Sequence, residues 1–135
     1  MREQDNIRFL SEEDVMAIHR NTIAHEGGGE GLRDSGLMHA AIAMPRQAFG
    51  GELLHPDLPS MAAAYHFHIA QNHPFIDGNK RVSVASAMLF LHANRCKVNA
   101  TEDELYDITI RVATGDIHKG ELTNWWRERI KLPSG

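Results

Sequence analysis

Cysteine is almost missing from this chain: Cys96 stands alone among 135 residues, which excludes an internal disulfide framework. A chain of this length can bury a sizeable core without one. No apolar run is long enough to cross a bilayer, since the longest, Val84 to Leu91, falls far short of the roughly 20 residues a spanning helix needs. No secretory segment is recognisable either, and with the lone cysteine this predicts the reducing cytoplasm and no membrane partner. Positive charge is not in excess: the net charge is −4, which argues against a general nucleic-acid binder with a basic face, so no direct nucleic-acid binding is expected. Repeats, low-complexity stretches and linkers are absent as well, and the chain reads as a single domain over 1–135. The nucleotide fingerprints are also missing. No Walker A pattern occurs, and the glycines from Gly27 to Gly31 do not fit Gly-x-Gly-x-x-Gly, so they read as a flexible connection. Zinc is disfavoured: His66 and His68 point about 200° apart on a helix, and no His-Glu-x-x-His pattern is present.

What is present is helical periodicity. Ser11 with Asp14 predicts a helix start, after which Val15, Ile18, Thr22 and Ile23 share one face and the helix stops before Gly27. Asp34 caps a second helix running to Met44, with Leu37, Met38, Ala41 and Ile42 inward. Residues 46–59 contain Gly50, Gly51, Pro56 and Pro59 and read as a mobile flap or short hairpin; Ser60 then caps a third helix. From Arg81 to Leu91 the chain is apolar nearly all round, the pattern of a helix buried on most sides. Thr101 with Glu104 starts another helix carrying Leu105, Ile108 and Val112 and ending at Gly115. A last helix holds Trp125, Trp126 and Ile130, and the adjacent tryptophans cannot both face the core. The expected class is all-α, a bundle of about six helices.

Chemistry concentrates in His73-Pro74-Phe75-Ile76-Asp77-Gly78-Asn79-Lys80-Arg81. Pro74 ends a helix near His73 and leaves the imidazole at its C-terminal edge, while Gly78 allows a sharp turn. A new helix then starts around Asn79. Its first-turn N–H groups, together with Lys80 and Arg81, make a polyphosphate site. Asp77 is open to two compatible roles, helix cap and magnesium ligand. His73 fits a general base for an incoming hydroxyl, a role that imidazoles commonly take. Asn79 is expected to brace the loop and donate to a phosphate.

The motif resembles that of the Fic/Doc superfamily, in which His-Pro-Phe is followed by two residues, Gly-Asn, a further residue and Arg. That further residue is typically glycine in Fic adenylyltransferases, whereas Lys80 makes the chain similar to the Doc (death-on-curing) toxins of toxin–antitoxin pairs. The resemblance extends to Gly31-Leu32-Arg33-Asp34-Ser35-Gly36-Leu37, to Ala43-Met44-Pro45-Arg46-Gln47 and to Ala85–Leu91, over a core of about residues 5–130. It implies a fold with an anion-binding loop between two central helices and a flap beside it. It also implies Phe75 as a buried anchor, His73 as base, Asp77 on Mg2+, and Gly78, Asn79, Lys80 and Arg81 on the phosphates of ATP. The implied activity is transfer of the γ-phosphoryl group of ATP to a protein hydroxyl, with elongation factor Tu as target, translation inhibited, and a Phd-like antitoxin as partner. Adenylylation is the alternative, although Val84 stands where many adenylyltransferases carry a second arginine; a non-catalytic binding member of the fold is the other. Thr22, Glu26 and Gly27 loosely match the inhibitory motif of Fic enzymes, but the similarity to Doc points to restraint by a separate antitoxin.

Overall fold

The structure is a computed structural model that describes residues 6–133; the extremities of the expected domain, residues 1–5 and 134–135, lie outside the described residues. Among the described residues six α-helices carry the fold: α1 Glu12–Glu26, α2 Ser35–Ala43, α3 Leu58–Asn72, α4 Asn79–Ala93, α5 Glu102–Ala113 and α6 Lys119–Arg129. Two antiparallel ribbons accompany them, β1 Ala48–Phe49 with β2 Glu52–Leu53, and β3 Lys97–Val98 with β4 Ile130–Lys131.

Local caps set the helix starts. Ser11 with Asp14 and Thr101 with Glu104 form reciprocal capping boxes, and the Asp34 carboxylate accepts from the Leu37 N–H. Each such cap contributes about 1 kcal/mol. The third helix differs from its expectation. Its cap is Asp57, with Ser60 as the reciprocating third residue, so the helix begins at Leu58 and takes Pro59 into its first turn. Proline is tolerated there because a first-turn N–H has no intrahelical acceptor to lose. After α2, a 3₁₀ turn over Met44–Arg46 leads through Pro45 into the β1–β2 hairpin, which turns at Gly50 and Gly51 with φ of 60° and 83°. Phe49 stands on this hairpin 81 % exposed.

α3 lies at the centre, against α2, α4, α5 and α6. Its run Met61-Ala62-Ala63-Ala64-Tyr65-His66 is wholly buried, and the small alanines let neighbouring helices approach closely. The Tyr65 hydroxyl accepts from the Leu10 N–H at 2.8 Å and so fastens the segment before α1, and burial pushes its pKa up to about 12. His66 closes a polar seam between three helices. Trp126 Nε1–H donates to its Nδ1 at 3.1 Å, so Nε2 carries the proton and donates to Thr109 Oγ1 at 2.9 Å, which in turn donates to the Leu105 carbonyl. Burial drives the His66 pKa down to about 3. Trp126 is thus the core tryptophan, and half-buried Trp125 sits edge-on to it with the Arg129 guanidinium 4.3 Å above its ring.

α4 departs from the expectation of burial on most sides. Asn79, Val82, Ser83, Ser86, Ala87, Phe90 and Leu91 are buried, whereas Val84, Ala85 and Met88 are half-buried and Leu89 is exposed. One apolar face of the central helix therefore lacks a cover from the described residues.

Candidate active site

α3 ends at His73, which adopts the left-handed conformation at φ 48° and ψ 55° while its N–H still bonds the Ile69 carbonyl. A non-glycine residue held there stores on the order of 1 kcal/mol, tolerated where surrounding contacts over-determine the backbone. Arg33 provides such contacts. Its Nε donates to the His73 carbonyl at 2.7 Å and its Nη2 to the Asn72 carbonyl at 2.9 Å. The backbone N–H groups of Arg33 and Asp34 both reach the Pro74 carbonyl, and the Ile76 N–H reaches Gly31. The α1–α2 connection is thus laid along the motif as a strap, and the His73 imidazole is left exposed beside it.

The glycine run belongs to this strap. A Cβ on Gly28 would stand 3.1 Å from Asp77 Oδ2 and one on Gly29 only 2.9 Å from Ile76 Cγ2, so the glycines give the backbone close access to the loop. The Gly29 N–H donates to Asp77 Oδ2 at 3.0 Å. Asp77 is held from its other side by His19, buried on α1, whose Nε2 donates to the Asp77 carbonyl at 3.0 Å and whose ring stacks on Phe75 at 4.0 Å and 8°. His19 escaped sequence reasoning although it lies on the apolar face of α1. The signal that could have found it was a titratable residue among the buried positions Val15, Thr22 and Ile23.

Phe75 is fully buried. Asn79 braces it twice: its Oδ1 accepts from the Phe75 N–H and its Nδ2 donates to the Phe75 carbonyl, both at 2.9 Å. With the side chain buried and one N–H engaged, only the second N–H of the amide is left for a phosphate.

Gly78 caps α4 at φ 84°, in the left-handed region, and offers no side chain. The helices α1, α2, α3 and α5 begin under capping side chains, whereas the first-turn N–H groups of Asn79, Lys80 and Arg81 have no side-chain acceptor. An uncapped first turn carries partial positive charge and free donors, and here it also carries two cations. Lys80 is exposed. Arg81 pairs with Glu26 at the end of α1, Nη2 to Oε1 at 2.6 Å, in an arrangement half open to solvent.

The arrangement can hold a polyanion on the first turn of α4 while presenting an imidazole from the end of α3. Asp77 keeps one carboxylate oxygen without a partner among the described residues, and no cluster of three metal-ligating side chains surrounds it. A divalent cation there would need ligands from the polyanion, as magnesium commonly takes them from phosphates. His66 is engaged in the buried seam, and His68 accepts from Lys119 Nζ at 2.9 Å. Burial and the neighbouring Lys119 depress the His68 pKa to about 4.

The model of the Fic/DOC family matches residues 9–91, from the approach to α1 to within two residues of the end of α4. The chain is 36 % identical over 121 residues to the protein kinase doc of Escherichia phage P1, covering 90 % of this chain and 94 % of the relative. It is 39 % identical over 110 residues to the toxin Doc of Mycolicibacterium smegmatis, covering 80 % and 82 %.

Proposed function

For a chain that belongs to the Fic/DOC family, we propose a Doc-like toxin that transfers the γ-phosphoryl group of ATP to a hydroxyl of a target protein. The observation that carries this reading is the uncapped first turn of α4, bearing Lys80 and Arg81 directly after a loop strapped in place beside His73. The names of the two relatives, a protein kinase and a toxin, support it.

In this reading the triphosphate lies on the N–H groups of Asn79, Lys80 and Arg81 with the side-chain charges around it. His73 takes the proton from the target hydroxyl, whose oxygen forms a bond to the γ-phosphorus. The bond from that phosphorus to the β–γ bridging oxygen breaks, and ADP leaves. Negative charge spreads over the transferred oxygens, and fixed donors and cations stabilise that charge more than they stabilise bound ATP. The free oxygen of Asp77 would hold Mg2+, whose contribution is to neutralise phosphate charge. Elongation factor Tu as target, inhibition of translation and a Phd-like antitoxin belong to this proposal, as does a cytoplasmic setting. Among the described residues no helix is long and apolar enough to cross a membrane.

ATP labelled at the α or the γ position, incubated with a bacterial translation extract, tests the reading. Label retained on protein from the γ position is expected. Label from the α position would overturn it in favour of adenylylation, and label from neither, with ATP binding confirmed, in favour of a binding protein.

One contact favours a second layer. Glu26 meets Arg81 at 2.6 Å, within the segment that resembles an inhibitory motif, so self-restraint of the arginine accompanies any restraint by an antitoxin. Competition between Glu26 and the phosphates for one guanidinium is its physical basis.

A further inference from the structure

A second cluster of titratable side chains lies outside the candidate active site. Lys119, the first residue of α6, donates from Nζ to His68 Nε2 on α3 at 2.9 Å. His68 therefore keeps its proton on Nδ1 and turns a lone pair to the lysine. His55, on the chain that returns from the β1–β2 hairpin, is buried; its ring bonds the Met44 carbonyl and feels the charge of Lys119. Its Nδ1 is buried without a partner among the described residues. The bond to Met44 uses the protonated ring nitrogen, so the orphaned Nδ1 is a second lone pair in the cluster.

The cation in this cluster has no anion. Among the described residues no carboxylate pairs with Lys119. Lys80, Lys97 and Lys131, the other lysines of the chain, are exposed, whereas Lys119 is half-buried. Burial pushes the Lys119 amine below the usual lysine range, and burial together with the charge of Lys119 pushes His68 down to about 4. Two neutral imidazoles thus attend one amine that is disposed to lose its proton. A lysine that only stabilises a fold gains most from a carboxylate; one that reacts needs desolvation and an acceptor for its proton. Lys119 has the second set.

We propose that Lys119 is an acylation site, at which the amine attacks a small activated carboxylic acid, either a thioester or an acyl phosphate. A bond forms from Nζ to the carbonyl carbon, the C–S or C–O bond to the leaving group breaks, and a thiolate or phosphate departs with the bonding pair. The ammonium gives one proton to solvent before attack, and a second passes through His68 Nε2 to solvent as the amide forms. The half-buried setting restricts the acyl group to a small one, and the product amide keeps an N–H for His68. This chemistry goes beyond phosphoryl transfer and uses none of its residues. It removes the charge that depresses His55 and His68, where the return of the hairpin meets α3 and α6.

The test incubates the whole chain with acetyl phosphate or with acetyl-CoA and follows acetylation of each lysine by mass spectrometry. Lys119 is expected to react at least about threefold faster than Lys97 and Lys131, which are exposed and serve as references within the same molecule. Unfolding in urea should erase the difference, since it depends on the fold. Preference with acetyl phosphate alone would identify an acyl phosphate as donor, and with acetyl-CoA alone a thioester. After acetylation the titration of His68, followed by NMR, should move upward from about 4 because the neighbouring charge is gone. His68→Gln should slow Lys119 while Lys97 keeps its wild-type rate. A folded wild-type chain in which Lys119 reacts no faster than the references with either donor, or a preference that survives urea, would overturn the assignment. Those two outcomes are read on the wild-type chain and stand whether or not the variant folds. A fast Lys119 with an unchanged rate in folded His68→Gln would remove His68 from the step.

Discussion

His66 and His73 lie seven residues apart, one within α3 and one at its end, yet their surroundings are opposite. His66 is fully buried with both ring nitrogens committed, to Trp126 and to Thr109. His73 is exposed on a left-handed backbone held by Arg33, and no described side chain engages its ring. The first seals three helices together; the second is free to exchange a proton with something brought from outside. Residue type is the same in both. Role is decided by whether the fold has already filled the ring's hydrogen-bonding capacity.

The widest separation should come from removing each imidazole in turn. His73→Ala is expected to lower protein labelling by about 10²–10⁴-fold, the usual contribution of a general base. ATP affinity should remain within a few-fold and the unfolding midpoint unchanged. A variant keeping more than about a tenth of wild-type turnover would remove His73 from that role.

His66→Ala should show the converse. It leaves the Trp126 N–H without its acceptor and opens a cavity at the meeting of α3, α5 and α6. A loss of about 2–4 kcal/mol of stability is expected in denaturant titrations, with turnover per folded molecule retained. Unchanged stability would mean the seam is not what holds α6 in place.

Acid sharpens the same contrast. The folded-state pKa of His66 is lowered to about 3 by burial and that of His68 to about 4, both below the ordinary value of 6.5. Between those limits the unfolded chain binds more protons than the folded one, so stability falls as pH drops below about 6.5 and the fall flattens toward the folded pKa values. The buried His66 sets a slope of up to about 1.4 kcal/mol per pH unit, while the more accessible His68 adds less. Unfolding midpoints at descending pH should show this slope, and His66→Gln should reduce it. A wild-type chain equally stable at pH 7 and pH 4.5 would count against a neutral His66 in the fold.

His19 stands between the two cases, buried like His66 but committed to the loop. His19→Phe keeps a ring against Phe75 and removes the donor to the Asp77 carbonyl. Turnover should fall by about tenfold through misplacement of the loop, with ATP affinity little changed and partial recovery in His19→Gln, which retains an N–H. Loss of stability without this split between binding and turnover would reduce His19 to packing.

How far the sequence discloses these arrangements depends on the range of the interaction. The capping boxes at Ser11 and Thr101 and the cap at Asp34 each involve residues three apart, and all were legible. The motif was legible because its chemistry is contiguous. The strap was not, since Arg33 reaches His73 across 40 residues and His19 reaches Asp77 across 58, and no local pattern encodes such a pairing. Asp57 was passed over for Ser60 because either residue caps well, and only the path of the preceding chain chooses between them. The open face of α4 was illegible for a different reason. An apolar stripe reads the same whether protein or ligand covers it.

The smallest effect should come from Glu26, and its size separates two kinds of restraint. The Glu26–Arg81 pair is short, but both side chains are about half exposed, at 44 % and 59 %. Ion pairs in such surroundings are worth about 0.2–1 kcal/mol, so releasing Arg81 should tighten ATP by no more than about fivefold. Glu26→Gln removes the charge with little change of shape and is the variant to titrate against ATP at low and at high salt. A modest gain that shrinks as salt rises is expected, since screening already weakens the pair in the wild-type chain. No gain at either salt would mean that Arg81 leaves Glu26 without cost and that restraint rests with a partner protein alone. A gain well above fivefold would show that Glu26 blocks the phosphates by occupying their place rather than by sharing a guanidinium.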